Sequence, residues 1–186
     1  MTTLRKARKT DATFIARMVL AALHIDENSD TRLCRHIKEL VEDEGTLYSW
    51  HRCIIATDND ERVGMCLAYD AADYHERRLR SFTMPCSDGK SVAEDNTSLL
   101  EQEDEAGAGE YYIDSVAVVA SHRGGGIGRT LMADAIAKGK ALHLRPTLLV
   151  DPANTNAVKL YTSLGFRYER DIFAFGQIYH KYSIVI

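Results

Sequence analysis

The chain has 186 residues, 45% of them hydrophobic and 27% charged, which is enough apolar material for one core and short for two. Lysine and arginine total 23 and aspartate and glutamate total 27, and this net charge of −4 argues against a nucleic-acid partner. No apolar run approaches the roughly 18 residues of a membrane helix, and the basic start lacks the apolar stretch of a signal peptide. We therefore expect one cytoplasmic domain over residues 1–186, without membrane partners.

The cysteines and histidines give no sign of a metal or redox centre. Cys34, Cys53, Cys66 and Cys86 show no CxxC pairing, which predicts free thiols in a reducing compartment. The seven histidines are scattered without the spacing of a metal-binding motif such as HExxH. The sequence therefore predicts that no metal is bound.

Secondary-structure patterns are clear in the first part of the chain. A short strand is expected from Leu4 to Ala7, and a helix with one apolar face starts near Thr10. A second amphipathic helix is expected from about Asp30 to Val41. The apolar runs Cys53 to Ala56 and Val63 to Tyr69 flank a polar turn and predict a hairpin.

The segment from about 71 to 109 differs from its surroundings because it is polar and contains the acidic run Glu101 to Glu105. A charge run is usually a solvated face or a mobile loop, and a substrate lid that attracts cations is the alternative. Apolar residues that could anchor short helices are Leu79, Phe82, Met84, Leu99 and Leu100. We expect this segment to be one insertion within one domain.

The last part of the chain alternates strands and helices. The expected elements are a strand over Tyr111 to Ala120, a glycine-rich turn, a helix to about Leu142, a strand over Thr147 to Val150, a helix over Thr155 to Leu164 that Gly165 stops, and strands near Phe166 to Phe173 and Ile178 to Ile184. This order predicts an α/β (α+β) protein with a mixed sheet.

The glycine-rich turn Arg123-Gly124-Gly125-Gly126-Ile127-Gly128-Arg129 joins a strand to a helix. Such a turn offers unpaired backbone N–H groups at the positive end of the helix, and the arginines add charge, so it predicts a phosphate site. A P-loop would need glycine in place of Arg123 and lysine in place of Arg129. A dinucleotide fingerprint fails at Arg129 or at Leu131, depending on where it starts.

A second motif makes a family resemblance specific. Arg123-x-x-Gly126-x-Gly128 matches the pattern [QR]-x-x-G-x-[GA], and about 26 residues later Asn154 begins a match to N-x-x-A-x-x-L-Y-x-x-x-G-F at every fixed position. On these two motifs the chain resembles the GNAT superfamily of N-acetyltransferases. The resemblance implies a mixed, mostly antiparallel central sheet flanked by helices, with a coenzyme-binding core at about 110–166. The insertion at 71–109, between the third and fourth strands, departs from the family pattern.

The resemblance also implies that acetyl-CoA is the co-substrate. The strand before the loop would splay from its neighbour, and its backbone would pair with the pantetheine arm while the loop holds the pyrophosphate. The positions that match coenzyme-binding residues of the family are Val116, Ala117, Val118, Arg123, Gly124, Gly125, Gly126, Ile127, Gly128, Arg129, Asn154 and Ala157.

For catalysis, Tyr161 matches the family tyrosine that acts as general acid towards the leaving thiolate. The attacking amine must lose a proton, and the acidic residues of the strand before the loop, Asp114 and Glu110, are the candidates for the base. Strand alternation would place Asp114 on one face with Tyr112 and Val116. Either carboxylate could instead have a structural role.

The resemblance therefore implies an acyltransferase that transfers groups other than aminoacyl groups. We expect it to move the acetyl group of acetyl-CoA to a primary amine by direct attack within a ternary complex. The acceptor could be a small molecule or a protein amino group, and the protein a monomer or a homodimer. The alternative is a non-catalytic acyl-CoA-binding sensor module.

Overall fold

The computed structural model describes residues 2–25, 32–95 and 97–185. Seven strands are present: β1 (Thr3–Lys6), β2 (Cys53–Asp58), β3 (Glu61–Asp70), β4 (Glu110–Val118), β5 (Arg145–Val150), β6 (Arg167–Ala174) and β7 (Gln177–Ser183). They form one sheet in the order β1-β2-β3-β4-β5-β7-β6. The pairing of β4 with β5 is parallel and all other pairings are antiparallel. This mixed, mostly antiparallel sheet confirms the predicted fold class.

Helices flank the sheet: α1 (Ala12–Ala22), α2 (Arg32–Glu42), α3 (Tyr74–Thr83), α4 (Val92–Asp95), α5 (Ile127–Ala141) and α6 (Thr155–Ser163). Short 3-10 turns lie at Lys9–Asp11, Trp50–Arg52, Thr97–Leu100 and Ala120–His122. The predicted start of the second helix, Asp30, lies outside the described residues. None of the described helices combines the length and the apolar character that crossing a membrane would require.

The two faces of the sheet are covered by different helices. On one face α1 and α2 pack on the sheet, with Ile15 and Val19 fully buried against β2 and β3. On the other face α5 buries Leu131 and Met132 against β3 and β5. The apolar periodicity of α1 and α5 therefore reflects one buried stripe on each helix.

The segment between β3 and β4 has a small packed core, although many of its residues are exposed. Phe82 of α3, Ala93 of α4 and Leu99 form a small buried cluster. The Arg78 side chain is 3% exposed and donates to the Leu99 carbonyl over 2.9 Å, and its Nε lies 2.9 Å from Asp104. Within the acidic run Asp104 is half-buried and pairs with a buried arginine, whereas Glu101 and Glu103 are exposed.

A bulge interrupts β4 at Asp114. Leu67 of β3 is opposite Ser115 and Ala68 is opposite Ile113, so Asp114 is an extra residue in β4. Tyr112 packs on the α1 side of the sheet, whereas Val116 packs on the α5 side. The expectation that these two side chains share a face with Asp114 is therefore wrong, because an inserted residue reverses the alternation beyond it.

A buried ion pair ties the start of β4 to β7. The Glu110 carboxylate, 9% exposed, lies 2.8 Å from Lys181 Nζ of β7, which is 5% exposed. The second oxygen of Glu110 lies 2.7 Å from Arg145 at the start of β5. One carboxylate thus joins the first residues of the parallel pair to the neighbouring antiparallel strand.

We expect Glu110→Gln to lower the free energy of unfolding by about 3 kcal/mol, because it leaves the Lys181 charge buried without a counter-ion. The control is Glu169→Gln, which also removes a partner of Arg145 but at a more exposed position, and its expected loss is less than about 1 kcal/mol. Urea unfolding of both variants measures the difference. Equal losses would show that the buried pair with Lys181 has no special contribution.

Candidate active site

An opening lies between β4 and β5. The two strands pair only from Glu110 to Tyr112, although β4 continues to Val118. Val119 donates its N–H to the Val63 carbonyl in β3 over 2.9 Å. Because backbone groups alternate along a strand, those of Val116 and Val118 face away from β3, into the opening. The splayed strand expected from the family resemblance is therefore present.

A cleft of about 660 Å³ occupies this opening and continues beneath α1. It brings together eight of the predicted site residues, which line its walls: Asp114, Val116, Ala117, Val118, Arg123, Asn154, Ala157 and Tyr161. Glu110 and the loop residues Gly124, Gly125, Gly126, Ile127, Gly128 and Arg129 are not part of this lining. Eight of the fifteen candidates thus line one cleft, and the remaining loop residues directly follow Arg123 in the chain.

The glycine-rich loop has the backbone shape of an anion site. Gly124 and Gly126 adopt positive φ angles of 81° and 83°, and α5 begins directly afterwards. Among the described residues, none accepts a hydrogen bond from the N–H groups of 124–129. These free donors lie at the positive end of α5, where an anion is stabilised.

The two arginines of the loop are already bonded within the protein. Arg123 Nε donates to the Val118 carbonyl over 2.9 Å, and Arg129 donates to Ser163 Oγ over 2.6 Å. Ile127 is buried in the core on the α5 side. The arginine contacts hold the loop against β4 and α6, so its charges are fixed near the free N–H groups.

Helix α6 carries the second motif. Asn154 Oδ1 accepts from the Ala157 N–H over 3.1 Å, so the first motif residue is the N-cap of the helix. Tyr161 packs edge-on against Phe166, and its hydroxyl makes no hydrogen bond to any residue that the structure describes. Burial raises the pKa of Tyr161 to about 12. The hydroxyl is therefore protonated at neutral pH and free to donate into the cleft.

Asp114 lies on the cleft wall at the β4 bulge. Its Oδ2 accepts from the Tyr69 hydroxyl over 2.7 Å, and its Oδ1 accepts from Ser115 Oγ over 2.9 Å. Burial raises the pKa of this carboxyl, and the two hydrogen bonds and the charge of Arg52 oppose that rise. A carboxylate with a raised pKa is better able to take a proton from an amine.

Glu105 is a cleft residue that sequence reasoning missed. Its carboxylate accepts a hydrogen bond from the Tyr112 hydroxyl. Burial and the negative charge of Asp114 raise the pKa of Glu105 to about 7, although hydrogen bonds from Tyr112 and Tyr74 act in the opposite direction. In the sequence Glu105 is only the last member of an acidic run, and no local signal separates it from its neighbours.

Metal-binding geometry is not found in the described part of the chain: no three histidine, cysteine, aspartate or glutamate side chains lie together as ligands. The four cysteines are free thiols, and burial raises the pKa of Cys66 to about 12. The titratable groups that line the cleft are carboxylates, tyrosines, His24 and Arg123.

The splayed mixed sheet, with a glycine-rich anion loop at one end of the cleft, is the architecture of an acyl-CoA N-acyltransferase fold. A family model described as "Acetyltransferase (GNAT) family" matches residues 20–166. The match covers more than half of the chain, so the protein belongs to the GNAT acetyltransferase family, and this membership indicates an acyltransferase. A search of curated proteins gave no significant sequence match.

Solved structures share this fold. An N-acetyltransferase from Staphylococcus aureus Mu50 superimposes with a TM-score of 0.79 at 19% identity, covering 98% of this chain and 100% of that chain. The NatC complex bound to Gag peptide and CoA gives 0.60 at 15% identity, over 100% and 98%. Diaminobutyrate acetyltransferase from Paenibacillus lautus, in complex with its substrate and coenzyme A, gives 0.59 at 16% identity, over 99% and 94%. At these identities the similarity shows the fold alone.

We expect Glu105→Gln to change how the stability of the protein depends on pH. Folding raises the pKa of Glu105 from 4.5 to about 7, so the folded state favours the protonated form and wild type loses stability as pH rises from 4.5 to 7. The variant lacks this loss. Its melting temperature relative to wild type should therefore rise between pH 4.5 and 7 and stay level above pH 7.

The control for this measurement is Glu103→Gln, which removes a carboxylate of the same segment at an exposed position paired with Arg170. Its melting temperature relative to wild type should show no rise through this pH range. A flat difference for Glu105→Gln as well would show that Glu105 titrates in its ordinary range.

Proposed function

We propose that this protein is an N-acetyltransferase that moves the acetyl group of acetyl-CoA to a primary amine by direct attack within a ternary complex. The observation that carries the proposal is the single cleft that joins the anion loop, the open edge of β4, Asp114 and Tyr161. The description of the family supports an acetyl group as the group transferred.

Coenzyme A fits the loop end of the cleft. The free N–H groups of 124–129 would bind the pyrophosphate, and Arg123 and Arg129 would add charge beside it. The backbone groups of Val116 and Val118 face the opening, where they would pair with the amides of the pantetheine arm. Asn154 would contact the coenzyme while it caps α6.

The chemistry then requires three functions from the protein. A base takes the proton of the attacking amine, and we assign this role to Asp114, which lines the cleft and whose pKa is raised by burial. The Val116 N–H, directed into the opening, would stabilise the negative charge that develops on the thioester oxygen. Tyr161, which lines the cleft and whose hydroxyl has no hydrogen-bond partner among the described residues, would donate its proton to the leaving thiolate.

Glu110, the other candidate for the base, is left out of this assignment. Its two oxygens are bound to Lys181 and Arg145, and it does not line the cleft. We propose that Glu110 is a structural residue that holds β4, β5 and β7 together.

Replacement of Gly126 by glutamate should abolish coenzyme binding, because a carboxylate would occupy the anion site and repel the pyrophosphate. Gly89→Glu is a matched control, since both glycines have positive φ angles and open space around the missing Cβ. Calorimetric titration with acetyl-CoA should detect binding by wild type and Gly89→Glu but not by Gly126→Glu. Equal binding by the two variants would place the coenzyme elsewhere.

Tyr161→Phe should lower kcat by about 100-fold, in the range of lost general acid catalysis, while acetyl-CoA still binds. The control is Tyr168→Phe, which removes an exposed hydroxyl on β6 and should leave kcat unchanged. Stopped assays of thiol release measure kcat, and calorimetric titration measures the binding of acetyl-CoA. Full turnover by Tyr161→Phe would exclude this tyrosine as the acid, and coenzyme binding without turnover by wild type would favour the sensor module.

A further inference from the structure

The acceptor end of the cleft has a wall that the 71–109 segment supplies. Glu105 of this segment accepts a hydrogen bond from Tyr112 of β4, Tyr74 packs edge-on against the Tyr112 ring, and Tyr48, which precedes β2, lines the same cleft. We name these four residues the inner pocket. Three tyrosines around one carboxylate form an amphipathic enclosure, because aromatic faces contact methylene groups and attract cations while the carboxylate binds a positive charge.

Glu105 is held in place by buried contacts on both sides of it. Lys181, 4% exposed, donates from Nζ to the Glu105 carbonyl over 3.0 Å as well as to Glu110. On the other side, Arg78 fixes the preceding residue, Asp104, as described above. The carboxylate therefore reaches the cleft from a rigid backbone, which favours recognition of a ligand over attraction by a mobile acidic loop.

Asp114 and Glu105, two of the carboxylates that line the cleft, have no counter-ion among the described residues. Asp114 and Glu105 each accept hydrogen bonds from tyrosine hydroxyls, but neither forms an ion pair with a described side chain. Three nearby arginines have other partners: Arg78 is paired with Asp104, Arg52 lies over the Tyr69 ring at 4.7 Å, and Arg123 donates to the Val118 carbonyl. Buried negative charge without a counter-ion is unfavourable, and a cationic ligand removes this cost.

We propose that the acceptor is a dication: its reacting primary amine lies at Asp114, and a second, protonated nitrogen lies at Glu105 in the inner pocket. This inference rests on the proposed acetyl transfer and adds a substrate class to it. One ammonium group could neutralise only one of the two carboxylates. A short aliphatic chain with an amino group at each end would satisfy both carboxylates and place its methylene groups against the tyrosine rings.

The test is the ratio of kcat/KM for an α,ω-diamine to that for the n-alkylamine of the same chain length, measured for the propyl, butyl and pentyl pairs. Wild type should prefer at least one diamine by about 10-fold or more, which is the range of one hydrogen bond to a charged group. Glu105→Gln should lose this preference through a raised KM for the diamine, while kcat/KM for the alkylamine changes much less than kcat/KM for the diamine. Glu103→Gln, exposed on the same segment, should retain the preference.

Two outcomes would overturn the proposal. A diamine preference that persists in Glu105→Gln would show that the second nitrogen lies elsewhere or does not contribute. An equal fall for diamine and alkylamine would make Glu105 part of the proton-transfer machinery, and the acid limb of the pH profile would then change as well.

A direct binding experiment keeps the proposal separate from acetyl transfer itself. Calorimetric titration of the coenzyme A-loaded protein with the same diamines should give binding that Glu105→Gln weakens by about 10-fold or more. Such binding without acetylation of any amine would contradict the proposed function and leave the dication site intact. Acetylation of alkylamines and diamines at equal rates, without selective diamine binding, would contradict only the dication site.

Discussion

The short pairing of β4 with β5 is the constraint on which the rest of the site depends. Only three residues of β4 pair with β5, and beyond Tyr112 the strand has an open side. Backbone N–H and C=O groups that a sheet does not pair require other partners, and Arg123 already supplies one to the Val118 carbonyl. The unpaired part of β4 thus connects the glycine-rich loop at one end of the cleft to Asp114 at the other. An extended ligand with its own amide groups is what such an edge can bind.

The bulge at Asp114 allows one strand to serve two cores and the cleft. Tyr112 packs on the α1 side of the sheet and Val116 packs on the α5 side. Asp114, the extra residue between them, shifts the side-chain alternation by one position and so permits both packings. A regular strand could keep only one of these packings in register. The bulge therefore turns the Asp114 carboxylate towards Tyr69 and the cleft without disturbing the apolar residues of either side.

The segment between β3 and β4 places a charge where burial disfavours it. Glu105 lies in the cleft with its pKa raised to about 7. The buried Lys181 binds its backbone carbonyl, and the buried Arg78 pairs with the neighbouring Asp104. The same Lys181 also pairs with Glu110. One side chain therefore binds both the first residue of β4 and the wall of the inner pocket. Unfavourable burial that the neighbouring structure maintains is characteristic of a binding site.

The sequence by itself determined the local parts of this protein. The loop from Arg123 to Arg129 is a single turn, and the glycines that shape it are close together in the chain. Asn154 and Tyr161 belong to a single helix, whose cap and apolar spacing are also local in the chain. The mixed sheet follows from the order of such elements, and two motifs were enough to predict the family.

Only the tertiary structure decided which carboxylates meet in the cleft. The bulge that separates Tyr112 from Val116 arises where β4 pairs with β3, and strand alternation within β4 alone gives the wrong face. The backbone carbonyl of Glu105 accepts a hydrogen bond from Lys181, which lies 76 positions further along the chain. The carboxylate of Glu110 pairs with the same lysine, 71 positions further along, and does not line the cleft. Contacts at such separations depend on how the whole chain packs, so neither spacing nor periodicity could reveal them.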